Sequence, residues 1–171
     1  MTPADIQVLV DYNYWARDRL LAAVEPLAAE QLARDMSSSF HSIRDTLAHI
    51  YGAEWVWLAR WQGESPSTLP AADAFGDLAS LGAAWSDVET RFRAFTSSLD
   101  DEGLARTLAY TLISGQSSAA PFWQMIQHVV NHGTYHRGQV VTMLRQQGLA
   151  GPQALDLIAF YRERAAAAPG R

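Results

Sequence analysis

The chain has 171 residues and a formal charge of −5, from 13 cationic against 18 acidic side chains, with 49% hydrophobic and 11% aromatic residues. That is the composition of a globular protein with no general attraction for phosphate backbones or anionic lipid. Every cationic residue is Arg and there is no Cys, which excludes a P-loop, a Schiff-base lysine, disulfides, thiolate zinc sites and a cysteine nucleophile.

The N-terminal stretch has no positive n-region, and nowhere does the chain approach the ~20 apolar residues needed to span a bilayer, so a cytoplasmic location is expected. Thr2, Pro3 and Asp5 form a capping-box-like start. Ile6, Leu9, Val10, Asn13, Leu20 and Val24 follow at helical spacing, predicting a first helix over about 3–24. Asn13 is the polar member of that stripe: a buried amide there either finds core partners or contacts a ligand or substrate. Ser42, with Asp45 three residues on, starts a second helix that ends near Gln62, with Gly63 as its stop. Its stripe is Ile43, Leu47, Ile50, Glu54, Trp57, Leu58 and Trp61, with His49 on the flank beside Ala53. Glu54 stands where a core residue belongs, either paired with an Arg or a Tyr hydroxyl or held for chemistry.

A linker rich in Pro, Ser and Gly follows from Gly63. Leu78, Leu81, Trp85, Val88, Phe92, Phe95 and Leu99 then repeat at spacings of three and four, the seam of a third bundle helix. Residues 104–120 read as a short hairpin or an extended loop around Ser114 and Gly115. Pro121 opens a fourth helix with an inward stripe of Met125, Val129, His132, His136, Val140 and Met143, ending near Gly148. A short helical segment over Asp156 to Arg164 precedes an Ala-rich, frayed tail. No repeat or second domain is visible, so residues 1–171 read as one helical domain.

The chemistry concentrates in HVVNHGTYHRGQ, residues 128–139. His132 and His136 are four apart on a helix, one turn above the other on the buried face, where two unpaired imidazoles would each need a partner. His49, on a second buried helix, is the third candidate ligand, since bundle metal sites are built from facing helices. Three imidazoles without thiolates suit Zn, Ni, Fe or Cu and leave a coordination position open. HExxH and GxSxG are missing, and none of the seven Glu has His three positions later, so zincin, hydrolase-elbow and di-iron readings fail. His128, on the edge of the stripe, is either a hydrogen-bonded helix residue or a contact to ligand or substrate. His41 is expected in solvent. Gly133 and Gly138 suggest a close approach by another helix or free space beside an ion, and Arg137 is expected to face away from the stripe, toward an interface.

At these residues the chain resembles the DinB family of DinB/YfiT-like metalloenzymes. The matching pieces are YNYWARDRLL, SIRDTLAHIYGAEWVWLARWQG, PFWQMIQHVVNHGTYHRGQVVTMLRQQG and DLIAFYRER, which together span nearly the whole chain. The resemblance implies an all-α four-helix bundle with an up-down-down-up course, a homodimer, and metal ligands at His49, His132 and His136. It also implies relatives that are S-transferases or isomerases using bacillithiol or mycothiol.

The leading expectation is a metal-dependent enzyme acting on a small-molecule substrate, with one Zn, Ni or Fe ion on the three histidines. Any thiol must then be an external cosubstrate, because the chain has no Cys. Glu54 or His128 would accept its proton, and Asn13 would orient the substrate or a ligand imidazole. The alternatives are a metal-dependent hydrolase and a non-catalytic dimer in which the ion ties two helices together. Ligation by neutral imidazole predicts that occupancy falls below about pH 6.

Overall fold

A computed structural model describes residues 1–167 of the chain. Its elements are α1 (Pro3–Val24), α2 (Ala29–Ala33), α3 (Ile43–Trp61), a 3-10 turn at Ala72–Ala74, α4 (Leu78–Ser97), α5 (Asp101–Ala105), β1 (Thr107–Thr111), β2 (Ser117–Pro121), α6 (Phe122–Gln146) and α7 (Leu157–Ala167). The four long helices are those that the apolar spacing predicts, while the single-turn α2 and α5 are too short to show a period. Helix persists past Arg164 to Ala167 where a frayed tail is expected; the rest of that tail, residues 168–171, lies outside those described.

Capping sets the helix starts. Thr2 Oγ1 accepts from the Asp5 amide at 3.2 Å and Asp5 Oδ2 accepts from the Thr2 amide at 2.9 Å, a reciprocal box that satisfies two otherwise orphaned donors. Ser42 Oγ accepts from Asp45 N at 3.1 Å without the reciprocal bond, and Asp77 and Ser80 close a box on α4. Pro121 is the N-cap of α6 rather than its first residue, because it still pairs with Thr107 at the end of the hairpin.

The order of contacts fixes the direction of each helix. Arg17 meets Glu89 and Ser97 meets Gln7, so α1 and α4 are antiparallel. Tyr51 meets Trp85 and Trp61 meets Phe92 and Phe95, so α3 and α4 run parallel. His49 lies against His136, Trp57 against His128 and Trp61 against Phe122, so α3 and α6 are antiparallel. The course is up-down-down-up. Two consecutive parallel helices require the linker after Trp61 to travel the length of α4, about 30 Å for twenty residues. It crosses α3 closely at Gly52, where an added Cβ would already touch Leu69 at 3.4 Å.

The core fills the space among these four helices, with Ile6, Leu20, Leu47, Leu58, Trp85, Phe92 and Phe122 all nearly inaccessible. Each large apolar side chain buried in this way contributes about 1.5–3 kcal/mol. Among the described residues no helix is long and apolar enough to cross a membrane.

Candidate metal centre

His49 on α3 and His132 and His136 on α6 converge where the two helices face each other. One ring nitrogen from each lies within 4.8 Å of the others, and this is the one such group of potential ligands among the described residues. The closest pair, His49 Nε2 and His132 Nε2, is 3.0 Å apart. Two nitrogens bound at about 2.0–2.1 Å to a tetrahedral ion sit roughly 3.3 Å from each other, so the spacing suits a shared cation. No carboxylate joins the group, which leaves three protein donors.

The surroundings hold the rings in a ligating state. His136 Nδ1 lies 2.7 Å from Gln139 Oε1; an amide oxygen only accepts, so Nδ1 carries the proton and the Nε2 lone pair stays free. Phe40, from the loop before α3, stacks on His49 with ring centroids 3.8 Å apart and meets the His136 ring edge-on. Burial, and then the neighbouring His136, lower the His49 pKa from 6.5 to about 4. The same two causes, with smaller contributions from His49 and His128, take His132 to about 3. Both rings are therefore neutral well into the acid range, and the threshold near pH 6 expected from free imidazole moves down by burial at these two positions.

The other candidate residues lie in different surroundings. Glu54, 1% exposed, accepts from Asn13 Nδ2 and from Trp85 Nε1, each at 2.8 Å. Asn13 Oδ1 accepts in turn from Arg137 Nη1 at 2.9 Å, and Arg137 Nη2 donates to Thr134 Oγ1 at 3.0 Å. Asn13 and Glu54 thus have their polar atoms committed to a core bridge linking α1, α3, α4 and α6. Five residues separate Glu54 from His49, about 140° around the helix. Burial pushes the Glu54 pKa up, against the two hydrogen bonds and the charges of Arg17 and Arg137. Arg137 corrects the sequence-based expectation: it is 2% exposed and faces the core, not an interface. Helix α6 packs on both α1 and α3, so its buried arc is wider than one stripe. Gly133 makes room for the guanidinium, since a Cβ there would stand 2.8 Å from Arg137 Nη1 and 3.1 Å from Asn13 Oδ1. Gly138 borders open space instead.

His128 is exposed, packs its ring on Trp57 and lies 5.9 Å from His132 between centroids, one turn from the cluster but outside it. His41 is exposed, as expected. A cavity of about 340 Å³ lined by Ser37, Ser38, Tyr135, Gln139 and Thr142 reaches the cluster's support at Gln139. The larger cavity, about 650 Å³, lies among α1, α3 and α4 and holds none of the histidines. Gln139 and Phe40 escape a reading of the sequence alone. Gln139 has a usable signal, its i+3 spacing from His136, whereas Phe40 is placed by a loop with left-handed residues at Ser37 and His41.

Fold and donors together define a four-helix bundle with a three-histidine candidate metal site. The chain belongs to the DinB family, whose model matches residues 1–164. Protein DinB of Bacillus subtilis (strain 168) is 28% identical over 149 residues, 83% of this chain and 86% of that one. Among solved structures, a DinB-like protein from Bacillus cereus ATCC 10987 superposes with a TM-score of 0.60 at 21% identity, over 85% of this chain and 95% of that one. YfiT from Bacillus subtilis, described as a probable metal-dependent hydrolase with an unusual four-helix bundle topology, gives 0.62 at 18% identity, over 85% and 86%.

Proposed function

We propose that the chain is a metal-dependent enzyme acting on a small-molecule substrate, with one divalent Zn, Ni or Fe ion held by His49, His132 and His136. The observation that carries this reading is the convergence of three imidazoles from two helices with no fourth protein donor in the group; a structural zinc would be closed by four protein ligands. When bound, such an ion supplies Lewis acidity that eases loss of a proton from water or an external thiol.

The chain's own residues then have separate tasks. Gln139 fixes the tautomer of His136, and Phe40 shields one face of His49 from solvent. His128, exposed but with its ring partly desolvated against Trp57, has its pKa lowered by that desolvation and by the Arg60 charge; it is neutral at pH 7 and is the proton acceptor beside the site. Asn13 and Glu54 act at a distance: they hold Arg137, and through it the turn of α6 between His132 and His136.

Two nucleophiles fit this site. Water gives a hydrolase, the activity in the description of YfiT; bacillithiol or mycothiol gives the S-transferase implied by the family resemblance. A titration of cobalt-substituted protein with bacillithiol, mycothiol or a small analogue separates them. A thiolate-to-cobalt charge-transfer band selects the transferase, and exchange of a solvent ligand with no such band selects the hydrolase. Neither signal would make the ion structural and overturn the enzymatic reading.

A further inference from the structure

Arg60 is the least explained charge in the described structure. It lies at the C-terminal end of α3, 5% exposed, and forms no ion pair and no side-chain hydrogen bond among the described residues. Its Nε is wholly buried without a partner. The guanidinium carbon sits over the Trp57 ring at 4.8 Å and over the Tyr110 ring at 5.6 Å. Those contacts use the face of the guanidinium and offset part of the cost of burying it. Its edge carries five N–H donors in a fork shaped for an oxyanion, and that edge is unused.

Glu64, whose amide donates to Ala59 O at the same helix end, makes no ion pair with Arg60. Between Glu102 and Asp156 there is no Asp or Glu at all, and this stretch includes the hairpin that supplies Tyr110 and all of α6. The same stretch carries Arg106, Arg137, Arg145 and three of the five histidines. The stretch of chain that bears His132, His136 and Tyr110 is therefore free of acidic side chains.

The position of Arg60 relates it to that cluster. It follows His49 by eleven residues on α3, which is about 16 Å along the helix and within about 20° of the same face. Trp57 and His128 stand between them, their rings 5.4 Å apart, and His128 in turn is 5.9 Å from His132. The side chains form a track along the α3–α6 seam, with metal ligands at one end and an unpaired cation at the other.

We propose that Arg60, walled by Trp57, Tyr110 and His128, is the subsite that binds an oxyanion group, carboxylate or phosphate, of an extended small-molecule substrate whose reacting end lies at the three histidines. The second half of this statement rests on the proposed metal-dependent function; the anion site itself does not. Arg60 is a binding and specificity residue here, with no part in proton transfer.

The test follows the Arg60 Nε–H resonance in full-length protein, metal-free and metal-loaded, during titration with inorganic phosphate against sodium chloride at matched ionic strength. A saturable shift given by phosphate and not by chloride, in both forms, is expected. Arg60→Gln should weaken phosphate binding about tenfold or more by calorimetry, with metal content unchanged, and Arg60→Lys should restore only part of it because an ammonium lacks the fork. An Nε–H signal that ignores phosphate in wild-type protein overturns the proposal without recourse to any variant, and covers the case in which a second copy of the chain seals the site. A response confined to metal-loaded protein also overturns it, because the anion would then be on the ion. Loss of metal binding with the Arg60 response intact would instead refute the proposed function and leave the subsite standing.

Discussion

Replacement of Gly133 by Ala separates packing around Arg137 from intrinsic helix preference. The added methyl would stand 2.8 Å from Arg137 Nη1 and 3.1 Å from Asn13 Oδ1. A flexible guanidinium on the surface would swing aside, but this one is 2% exposed and fixed by Asn13 and Thr134. Ala gains about 1 kcal/mol of helix propensity over Gly. Against this stand the charge-assisted bond to Asn13, about 1.5–3 kcal/mol, and overpacking of about 1–3 kcal/mol. The net expectation is a loss of about 1.5–5 kcal/mol for Gly133→Ala. Gly138 is the control on the same helix: nothing lies within 4 Å of its added Cβ, so Gly138→Ala should gain about 0.5–1 kcal/mol. At about 2–4 °C per kcal/mol for a chain of this size, the two variants should melt on the order of 5–10 °C apart or more, on opposite sides of the wild type. Thermal and urea unfolding of the metal-free proteins measure this. If Gly133→Ala melts at or above the wild type, the buried bridge does not hold α6 as described.

Three further outcomes are expected, the first two from this geometry and the third from the family resemblance. Gln139→Leu removes the acceptor that fixes the His136 tautomer and should weaken metal affinity about 10–100-fold, read by competition with a chelator; unchanged affinity would deny Gln139 that role. His49 and His132 have folded pKa values of about 4 and about 3, below the ordinary 6.5. The unfolded chain therefore binds more protons at these groups from about pH 6.5 downward, and metal-free protein should lose stability progressively from there toward pH 3–4. His132→Asn should flatten that slope in urea unfolding, and an equal slope in both proteins would contradict the shifts. Light scattering should find a homodimer of twice the 18.9 kDa chain mass, and a purely monomeric species at micromolar concentration would refute dimerisation.

The helices were legible because their apolar residues recur at three and four and their starts carry capping residues: Thr2 with Asp5, and Ser42 with Asp45, cap as read. The imidazole cluster was legible for the same reason, since i and i+4 on a buried face point one way. Periodicity says which face of a helix is buried but not how many neighbours cover it, and Arg137 was misplaced on that account. Direction was equally hidden in the spacing; parallel α3 and α4 show in the lengths of their connections and contacts, not in their stripes. Asn13 and Glu54 were visible as polar residues at core positions, but which partner each holds depends on four helices meeting. Arg60 gave no signal, because an Arg in the last turn of a helix is ordinary, and only its missing partners distinguish it.

Elemental analysis of purified protein beside its His132→Ala and His136→Ala variants tests the central claim most directly. About one divalent transition-metal ion per chain in the wild type, and a large loss of that ion in both variants with the fold retained by circular dichroism, is the predicted result. Full metal content in folded His132→Ala and His136→Ala would contradict the three-histidine centre.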